Sequence, residues 1–166
     1  VVSNSGSECG LAGRKQDTVP ERNPRVGVAL IRNAGVNNMA GDGVWIVTGA
    51  SPGIGAAIAR LAVEAGHRVA LIARGESVME LAQSLGESAA GFQCDVADSA
   101  SVSETVDAIV ARFGRVEVLV NNAGVHRGGK IHRLTDNAWH AVLQVNLTGA
   151  LNMTQAAVPH LSQGSA

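Results

Sequence analysis

The chain has 166 residues, of which 13 are Lys or Arg and 14 are Asp or Glu, so its formal net charge is -1. Near-balanced charge argues against a protein that holds nucleic acid by neutralising phosphates. With 46% hydrophobic and 16% charged residues, the chain is too apolar to be disordered overall. No apolar run approaches the length of about 18 residues that a membrane span needs. The two cysteines, Cys9 and Cys94, make no disulfide framework, which predicts a reduced, cytoplasmic protein.

Residues 1–42 differ in composition from the rest and are predicted to be a flexible or extraneous segment. Ser, Asn, Gly, Arg and Pro dominate there, with Pro20 and Pro24 as breakers of regular structure. The first residue is Val, and Met39 stands just before the first strong strand. Both an upstream extension before a natural start at Met39 and a genuine tail therefore remain open. No charged start leads into an apolar stretch, so secretion is not predicted.

From residue 43 onward, apolar runs alternate with helical patterns. Continuous runs predict buried strands at 44–47, 69–73 and 116–120, with a weaker strand at 91–94. The first helix is predicted to bury Ile54, Ile58, Leu61 and Ala62. The third helix is expected to open with a capping box at Ser101–Glu104, and one long last helix to run from Thr135 to about Leu161.

Strand–helix alternation of this kind predicts an α/β protein with right-handed crossovers. We therefore expect residues 43–166 to form part of a Rossmann-like, doubly wound parallel sheet with flanking helices. The sheet is expected to be incomplete, with strand order 3-2-1-4. Its fourth strand would be a bare edge on the side where the complete fold has strands five and six.

A glycine-rich loop, Thr48-Gly49-Ala50-Ser51-Pro52-Gly53-Ile54-Gly55, joins the first strand to the first helix. Gly49 can supply a tight turn, Gly53 allows close approach of a pyrophosphate, and Gly55 allows close packing of helix and strand. The helix N-terminus directs free N–H groups at the anion. The candidate cofactor contacts here are Gly49, Ser51, Gly53, Ile54 and Gly55. A structural turn, or the nucleophile elbow of a serine hydrolase built on Ser51, would use the same residues.

Three further segments accompany this loop: Cys94-Asp95-Val96, Asn121-Asn122-Ala123-Gly124 and Val145-Asn146-Leu147-Thr148-Gly149. Together, and in this order, the four segments resemble the short-chain dehydrogenase/reductase family over residues 43–164. The resemblance is greatest to bacterial 3-oxoacyl-acyl-carrier-protein reductases and their relatives. It implies an oxidoreductase that reduces the carbonyl of a small ketone or acyl thioester. It also implies intact relatives that form homodimers or homotetramers.

The end of the second strand bears on which nicotinamide cofactor is used. An Asp or Glu roughly 20 residues after the glycines would accept from the ribose of NAD. This chain has Ala73 and then Arg74 there. A guanidinium can bind a 2′-phosphate through two hydrogen bonds, so the sequence predicts a preference for NADP(H) over NAD(H). The alternatives are that Arg74 is an ordinary solvated loop arginine and that Glu76, two residues further on, serves a ribose.

The ends of strands three and four carry the other cofactor candidates. Asp95 can accept from an adenine amino group and Val96 can pack on the adenine, although Asp95 also suits a turn. The resemblance implies that the backbone of Asn122, Ala123 and Gly124 lies against a ribose. It also implies that the Asn122 side chain connects neighbouring strands, and a purely structural turn is the alternative.

Asn146 is the catalytic candidate. It shares a helix stripe with Val142, Ala150 and Met153, where burial without partners would cost about 1–3 kcal/mol, so hydrogen-bond partners or a held water are expected. The resemblance implies that this asparagine bends the helix and holds a water in a proton relay. A locally satisfied helix asparagine is the alternative.

The rest of the family's catalytic machinery is missing from the sequence. The family places a serine on a fifth strand and Tyr-x-x-x-Lys on the next helix, but this chain contains no tyrosine. Lys130 does not match the family lysine, and Ser165 has no credible claim to the serine role. We therefore expect a reductase truncated before those residues and inactive alone. A non-catalytic NADP(H)-binding module and the hydrolase remain the alternatives.

His126 and His132 lack the spacing of metal ligands, so no metal site is predicted. They are expected to lie near the substrate mouth or simply to be exposed.

Overall fold

The computed structural model describes residues 43–161. Within them a parallel four-stranded sheet has the order β3-β2-β1-β4, which confirms the predicted order and the Rossmann-like fold. The strands are β1 (Val44–Thr48), β2 (Arg68–Ala73), β3 (Ala89–Gln93) and β4 (Val116–Val120). The helices are α1 (Ile54–Glu64), α2 (Ser77–Leu85), α3 (Ser99–Phe113), α4 (Asp136–Leu143) and α5 (Gly149–Ala157). The expectations for residues 1–42 and for Ser165 lie outside the described residues.

Two apolar cores cover the two faces of the sheet. On one face, Ile46 and Ile72 pack with Ile109 of α3 and Met153 of α5. On the other, the next residues along the strands pack with α1 and α2. Because successive strand residues point to opposite faces, a continuous apolar run is what a sheet covered on both sides requires. None of the helices within residues 43–161 has the length and apolar character needed to cross a bilayer.

The predicted buried face of α1 is correct for part of the helix only. Ala62 is buried, and the partly buried Ile58 packs against the core on this side of the sheet. Ile54 and Leu61 are 74% and 48% exposed, contrary to prediction, and Gly55, Ala56 and Ala59 are buried in their place. The helix approaches the sheet closely, so its buried residues are all small.

Two boundaries also differ from prediction. The third strand begins at Ala89, two residues before the predicted start. Asp98, rather than Ser101, caps α3: its Oδ1 accepts from the N–H groups of Ala100 and Ser101 at 3.0 and 3.3 Å. Ser101 therefore lies inside the helix, where its hydroxyl contacts the Cys94 sulfur at 3.5 Å. Two side chains suitable for capping stand three positions apart, and the first of them is the one used.

The predicted single long helix is a series of different helical segments. A π-helical segment, Gln144–Thr148, separates α4 from α5, and a short 3₁₀ turn, Val158–His160, follows α5. Leu161 then forms a parallel bridge with Val116 at the start of β4. The outer edge of β4 is therefore partnered at this position, contrary to the expectation of a wholly bare edge.

Candidate functional site: a groove at the carboxyl ends of the strands

A groove of about 350 Å³ opens at the carboxyl ends of the strands. Every predicted cofactor residue except Gly55 lines it: Gly49, Ser51, Gly53, Ile54, Arg74, Asp95, Val96, Asn122, Ala123 and Gly124. They come from the turns after all four strands, because the carboxyl ends of parallel strands meet at one edge of the sheet. The groove also lies where β1 is flanked by β2 and β4, the switch point at which such sheets bind ligands.

Two glycines of the loop after β1 are required by close contacts. Gly49 has φ 65°, and a Cβ there would lie 2.8 Å from the Ala123 Cα. A Cβ on Gly55 would lie 2.6 Å from Asn122 Nδ2 and would also collide with the Gly49 carbonyl oxygen. Gly55 therefore lies beneath the groove, and its lack of a side chain lets α1 meet the ends of β1 and β4.

The N-terminus of α1 is suited to an anion. Its N-cap, Gly53, has φ 142° and provides no side-chain cap, and the first turn contains no acidic residue. The N–H groups of a first helical turn lack partners within the helix, and the helix dipole adds a partial positive charge there. Since Gly53 and Ile54 also line the groove, a phosphate can approach these N–H groups.

Thr48 and Asn122 join β1 to β4 beneath the groove. The buried Thr48 hydroxyl donates to the Val120 carbonyl at 3.1 Å and accepts from the N–H groups of Asn122 and Ala123, each at 3.0 Å. Asn122 Nδ2 donates to the carbonyls of Thr48 and Gly49 at 3.0 and 3.1 Å. The sequence does not predict this role of Thr48, because its only signal is a hydroxyl at the end of an apolar run.

Asp95 and Val96 form the wall after β3. One Asp95 oxygen accepts from the Ala97 N–H at 3.0 Å, and this is the turn role that sequence analysis left open. A carboxylate has a second oxygen, so this role is compatible with a ligand contact. The Val96 carbonyl accepts from Asn152 Nδ2 at 2.9 Å, and a Cβ on Gly149 would lie 2.6 Å from Val96 Cγ2. Helix α5 thus fixes Val96, through two residues that sequence analysis did not single out.

Arg74 lies exposed at the rim of the groove, immediately after β2. No carboxylate within residues 43–161 forms an ion pair with Arg74. Its guanidinium is therefore available to a ligand.

Asn146 lies in the π-helical segment and bonds to the turn after β4. Its Oδ1 accepts from the Val125 N–H at 2.8 Å, and its Nδ2 donates to the Val125 carbonyl at 3.1 Å. Hydrogen-bond partners were expected, but burial on an apolar face was not correct, because Asn146 is exposed. Val125 lines the groove and Asn146 does not, so Asn146 fixes part of the groove wall from outside the groove.

The geometry gives no support to a hydrolase. Ser51 is exposed, and no histidine or carboxylate in the described part of the chain forms a hydrogen bond with it. A serine nucleophile needs an adjacent base.

The described residues, 43–161, contain no group of three or more His, Cys, Asp or Glu side chains that could bind a metal ion. His126 and His132 lie exposed in the loop after β4.

A parallel sheet of this order, with a glycine loop leading into an uncapped helix at its switch point, defines a dinucleotide-binding fold. A family model described as short chain dehydrogenase matches residues 43–166, and the chain belongs to this family.

Curated relatives carry oxidoreductase names. The chain is 44% identical over 117 residues to D-threitol dehydrogenase of Mycolicibacterium smegmatis, a match that covers 68% of this chain and 45% of that protein. It is 48% identical over 117 residues to the monensin polyketide synthase putative ketoacyl reductase of Streptomyces virginiae, with the same coverage of 68% and 45%. The chain thus spans less than half the length of these two relatives.

Solved structures show the same fold. The F189W actinorhodin polyketide ketoreductase with NADPH matches with a TM-score of 0.67 and 41% identity, over 70% of this chain and 46% of that one. The 3-ketoacyl-(acyl-carrier-protein) reductase from Brucella melitensis complexed with NADH matches with a TM-score of 0.69 and 29% identity, over 71% and 50%. These two relatives were therefore solved with different nicotinamide cofactors.

Proposed function

We propose that this chain is the cofactor-binding part of an NADP(H)-dependent carbonyl reductase. The observation that carries the proposal is the groove itself, with Arg74, which pairs with no carboxylate among residues 43–161, rather than a carboxylate where β2 ends. A carboxylate at that position would repel a 2′-phosphate, whereas a guanidinium binds one in a bidentate manner. Membership of the short-chain family supports a nicotinamide cofactor without deciding between the two forms.

Different groove residues would hold different parts of the cofactor. The N-terminus of α1, with Gly53 and Ile54, would hold the pyrophosphate, and Ser51 would border it. Asp95 would accept from the adenine amino group, Val96 would pack on the adenine, and Arg74 would bind the 2′-phosphate. The backbone of Asn122, Ala123 and Gly124 would face a ribose. When bound, NADPH supplies the hydride for a carbonyl carbon.

The proton for the reduced carbonyl comes from outside these 166 residues, since the sequence contains no tyrosine. In the proposed whole protein, a serine and Tyr-x-x-x-Lys follow this chain, and the tyrosine hydroxyl donates that proton. Asn146 would have the role that the family resemblance implies, which is to hold a water in the proton relay. The two hydrogen bonds between Asn146 and Val125 fix the position of the Asn146 side chain. The substrate class is a 3-oxoacyl thioester or a similar ketone. The whole protein would act in the cytoplasm as a homodimer or homotetramer.

The test is to sequence the source DNA past codon 166 in all three frames and to assay the full-length product. We expect a frame that encodes a strand with a serine and then Tyr-x-x-x-Lys. That product should oxidise NADPH when given a 3-oxoacyl thioester, and replacing its tyrosine with Phe should abolish turnover. A full-length product that carries those residues but neither binds nor oxidises NADPH would contradict the proposal.

A second candidate is a non-catalytic NADP(H)-binding module. It is favoured by one observation: the groove is formed by residues 49–145 alone, whereas the proton donor is absent from the sequence. If no frame past codon 166 encodes the catalytic residues and the purified chain binds NADPH without turnover, the module is the correct description.

A further inference from the structure

The turn after β3 carries the groove wall that lies at the edge of the sheet. In the sheet described for residues 43–161, β3 is an edge strand, so β2 is the only strand beside this turn. The Cys94 N–H donates to the Ala73 carbonyl at 3.0 Å, which ties the start of the turn to the end of β2. The next two residues, Asp95 and Val96, line the groove. The hydrogen bond that holds them from another element comes from a helix, α5.

One peptide group connects Asp95 to Asn152 of α5. The carbonyl of the peptide between Val96 and Ala97 accepts from Asn152 Nδ2 at 2.9 Å. The N–H of the same peptide donates to Asp95 Oδ1 at 3.0 Å. Because the C=O and N–H of a peptide lie in one plane and point in opposite directions, fixing the carbonyl also fixes the direction of the N–H. Asn152 therefore orients the group that holds the Asp95 carboxylate.

The second oxygen of Asp95 remains available to a ligand. Among residues 43–161, no other hydrogen bond and no ion pair engages the Asp95 carboxylate. An ionised carboxylate offers about four lone-pair sites on its two oxygens, so one bond to the Ala97 N–H leaves acceptor capacity. Since Asp95 is half-buried and lines the groove, this oxygen can accept a hydrogen bond from a group bound there.

Helix α5 holds this wall from outside the groove, because neither Asn152 nor Gly149 lines it. A Cβ on Gly149 would lie 2.6 Å from Val96 Cγ2, so the buried Val96 side chain rests against the helix backbone. Asn152 precedes the fully buried Met153, which anchors this part of α5 in the core. A carbonyl oxygen can only accept, so the bond to Val96 needs a donor at position 152.

We propose that Asn152 is a positioning residue for recognition of the cofactor's adenine. It orients the peptide between Val96 and Ala97, and through this peptide it fixes the carboxylate of Asp95 that accepts from the adenine amino group. The inference rests on the proposed function, which assigns the adenine to Asp95 and Val96. Discrimination between adenine and hypoxanthine, which has a carbonyl oxygen in place of the amino group, then depends on a residue that does not touch the cofactor.

The test compares NADPH with its hypoxanthine analogue, deamino-NADPH, by calorimetric titration of the full chain. The parent should bind NADPH about tenfold or more tightly than the analogue, as a hydrogen bond to a charged acceptor allows. Asn152→Ala should bring the two affinities to within about threefold, because the Asp95 carboxylate loses its fixed orientation. An Asn152→Ala variant that keeps the parent's ratio would overturn the proposal.

Two further variants separate positioning from a general structural effect. Asn152→Asp keeps the size of the side chain but removes the donor, so it should lose the preference for adenine as Asn152→Ala does, and it replaces that variant if the latter does not fold. Gln155→Ala removes an exposed amide from the same helix and should keep the parent's ratio. Thermal unfolding is measured for each variant. An Asn152→Asp variant with a lower melting temperature and the parent's ratio would show a merely structural role and overturn the proposal.

A double-mutant cycle tests whether Asn152 acts through Asp95. Asp95→Ala should abolish the preference for NADPH over deamino-NADPH. Adding Asn152→Ala to Asp95→Ala should then leave the ratio of the two affinities unchanged. A further change of that ratio in the double variant would show that Asn152 acts by another route, contrary to the proposal.

Titration with AMP and IMP, followed by NMR, distinguishes this inference from the proposed function, because these probes carry neither the nicotinamide nor the 2′-phosphate. A chain that fails to bind NADPH but prefers AMP to IMP, and loses this preference in Asn152→Ala, would refute the proposed function and leave the inference intact. A chain that binds NADPH and deamino-NADPH equally well would overturn the inference alone. A chain that neither binds NADPH nor prefers AMP to IMP would overturn both.

Discussion

Asn122 donates two hydrogen bonds to Thr48 at the ends of β4 and β1. The Asn122 N–H donates to the Thr48 hydroxyl, and the Asn122 side chain donates to the Thr48 carbonyl, each at 3.0 Å. The same Nδ2 reaches the Gly49 carbonyl at 3.1 Å. The glycine loop and the turn after β4 are therefore held in one arrangement before any ligand binds, which reduces the cost of ordering the groove when a cofactor arrives.

Substitution Asn122→Ala should lower the free energy of unfolding by about 1–3 kcal/mol, because the carbonyls of Thr48 and Gly49 lose their donor in a partly buried position. Urea denaturation followed by circular dichroism measures the change. The neighbouring Asn121→Ala is the control, since Asn121 is exposed and its Nδ2 contacts Thr154 Oγ1 at 3.3 Å. Its effect should stay within about 0.5 kcal/mol. Equal losses in the two variants would show that the Asn122 network contributes no special stability.

Substitution Gly55→Ala should destabilise the protein, even though alanine is favoured over glycine in a helix by about 1 kcal/mol. The reason is the contact of the new Cβ with the Gly49 carbonyl and Asn122 Nδ2. The control is Ala57→Gly, at an exposed position of the same helix, which should cost only about 1 kcal/mol. Thermal unfolding compares the variants, and a Gly55→Ala protein more stable than the parent would refute the close packing described here.

The two bonds between Asn146 and Val125 make a prediction for hydrogen exchange. In Asn146→Ala the Val125 amide loses its acceptor and should exchange faster, whereas Asn146→Asp keeps an oxygen at this position and should preserve most of the protection. Exchange at the Val125 amide, followed by NMR, is the measurement. If both variants leave that amide as protected as in the parent, the hydrogen bond is not what fixes this wall.

The strands could be predicted because a sheet covered on both faces demands continuous apolar runs, and Val44–Thr48 and Arg68–Ala73 nearly consist of them. The face of α1 that packs on the sheet could not be predicted in the same way. Hydrophobic periodicity gives the most weight to large side chains such as Ile54 and Leu61, whereas the close approach of this helix selects glycine and alanine for its inner face.

The candidate site shows the same division between what sequence reasoning found and what it missed. The groove-lining residues could be found because they follow strand ends in known motifs. Thr48 and Asn152 act through hydrogen bonds to backbone that is distant in sequence: Val120 lies 72 residues from Thr48, and Val96 lies 56 residues from Asn152. Partners at such separations are set by the tertiary fold, and no local pattern indicates them. Likewise, the π-helical segment that carries Asn146 has no propensity signal that distinguishes it from the α-helices around it.

The central claim is that Arg74 makes this groove a site for NADP(H), and parallel titrations of the full chain with NADPH and NADH test it most directly. The parent should bind NADPH about 10- to 100-fold more tightly than NADH, the range expected of charge-assisted hydrogen bonds to a phosphate. Arg74→Glu should abolish or reverse this preference, whereas Arg60→Glu, the same charge change on the exposed side of α1, should retain it. An Arg74→Glu variant that keeps the parent's preference for NADPH would contradict the account.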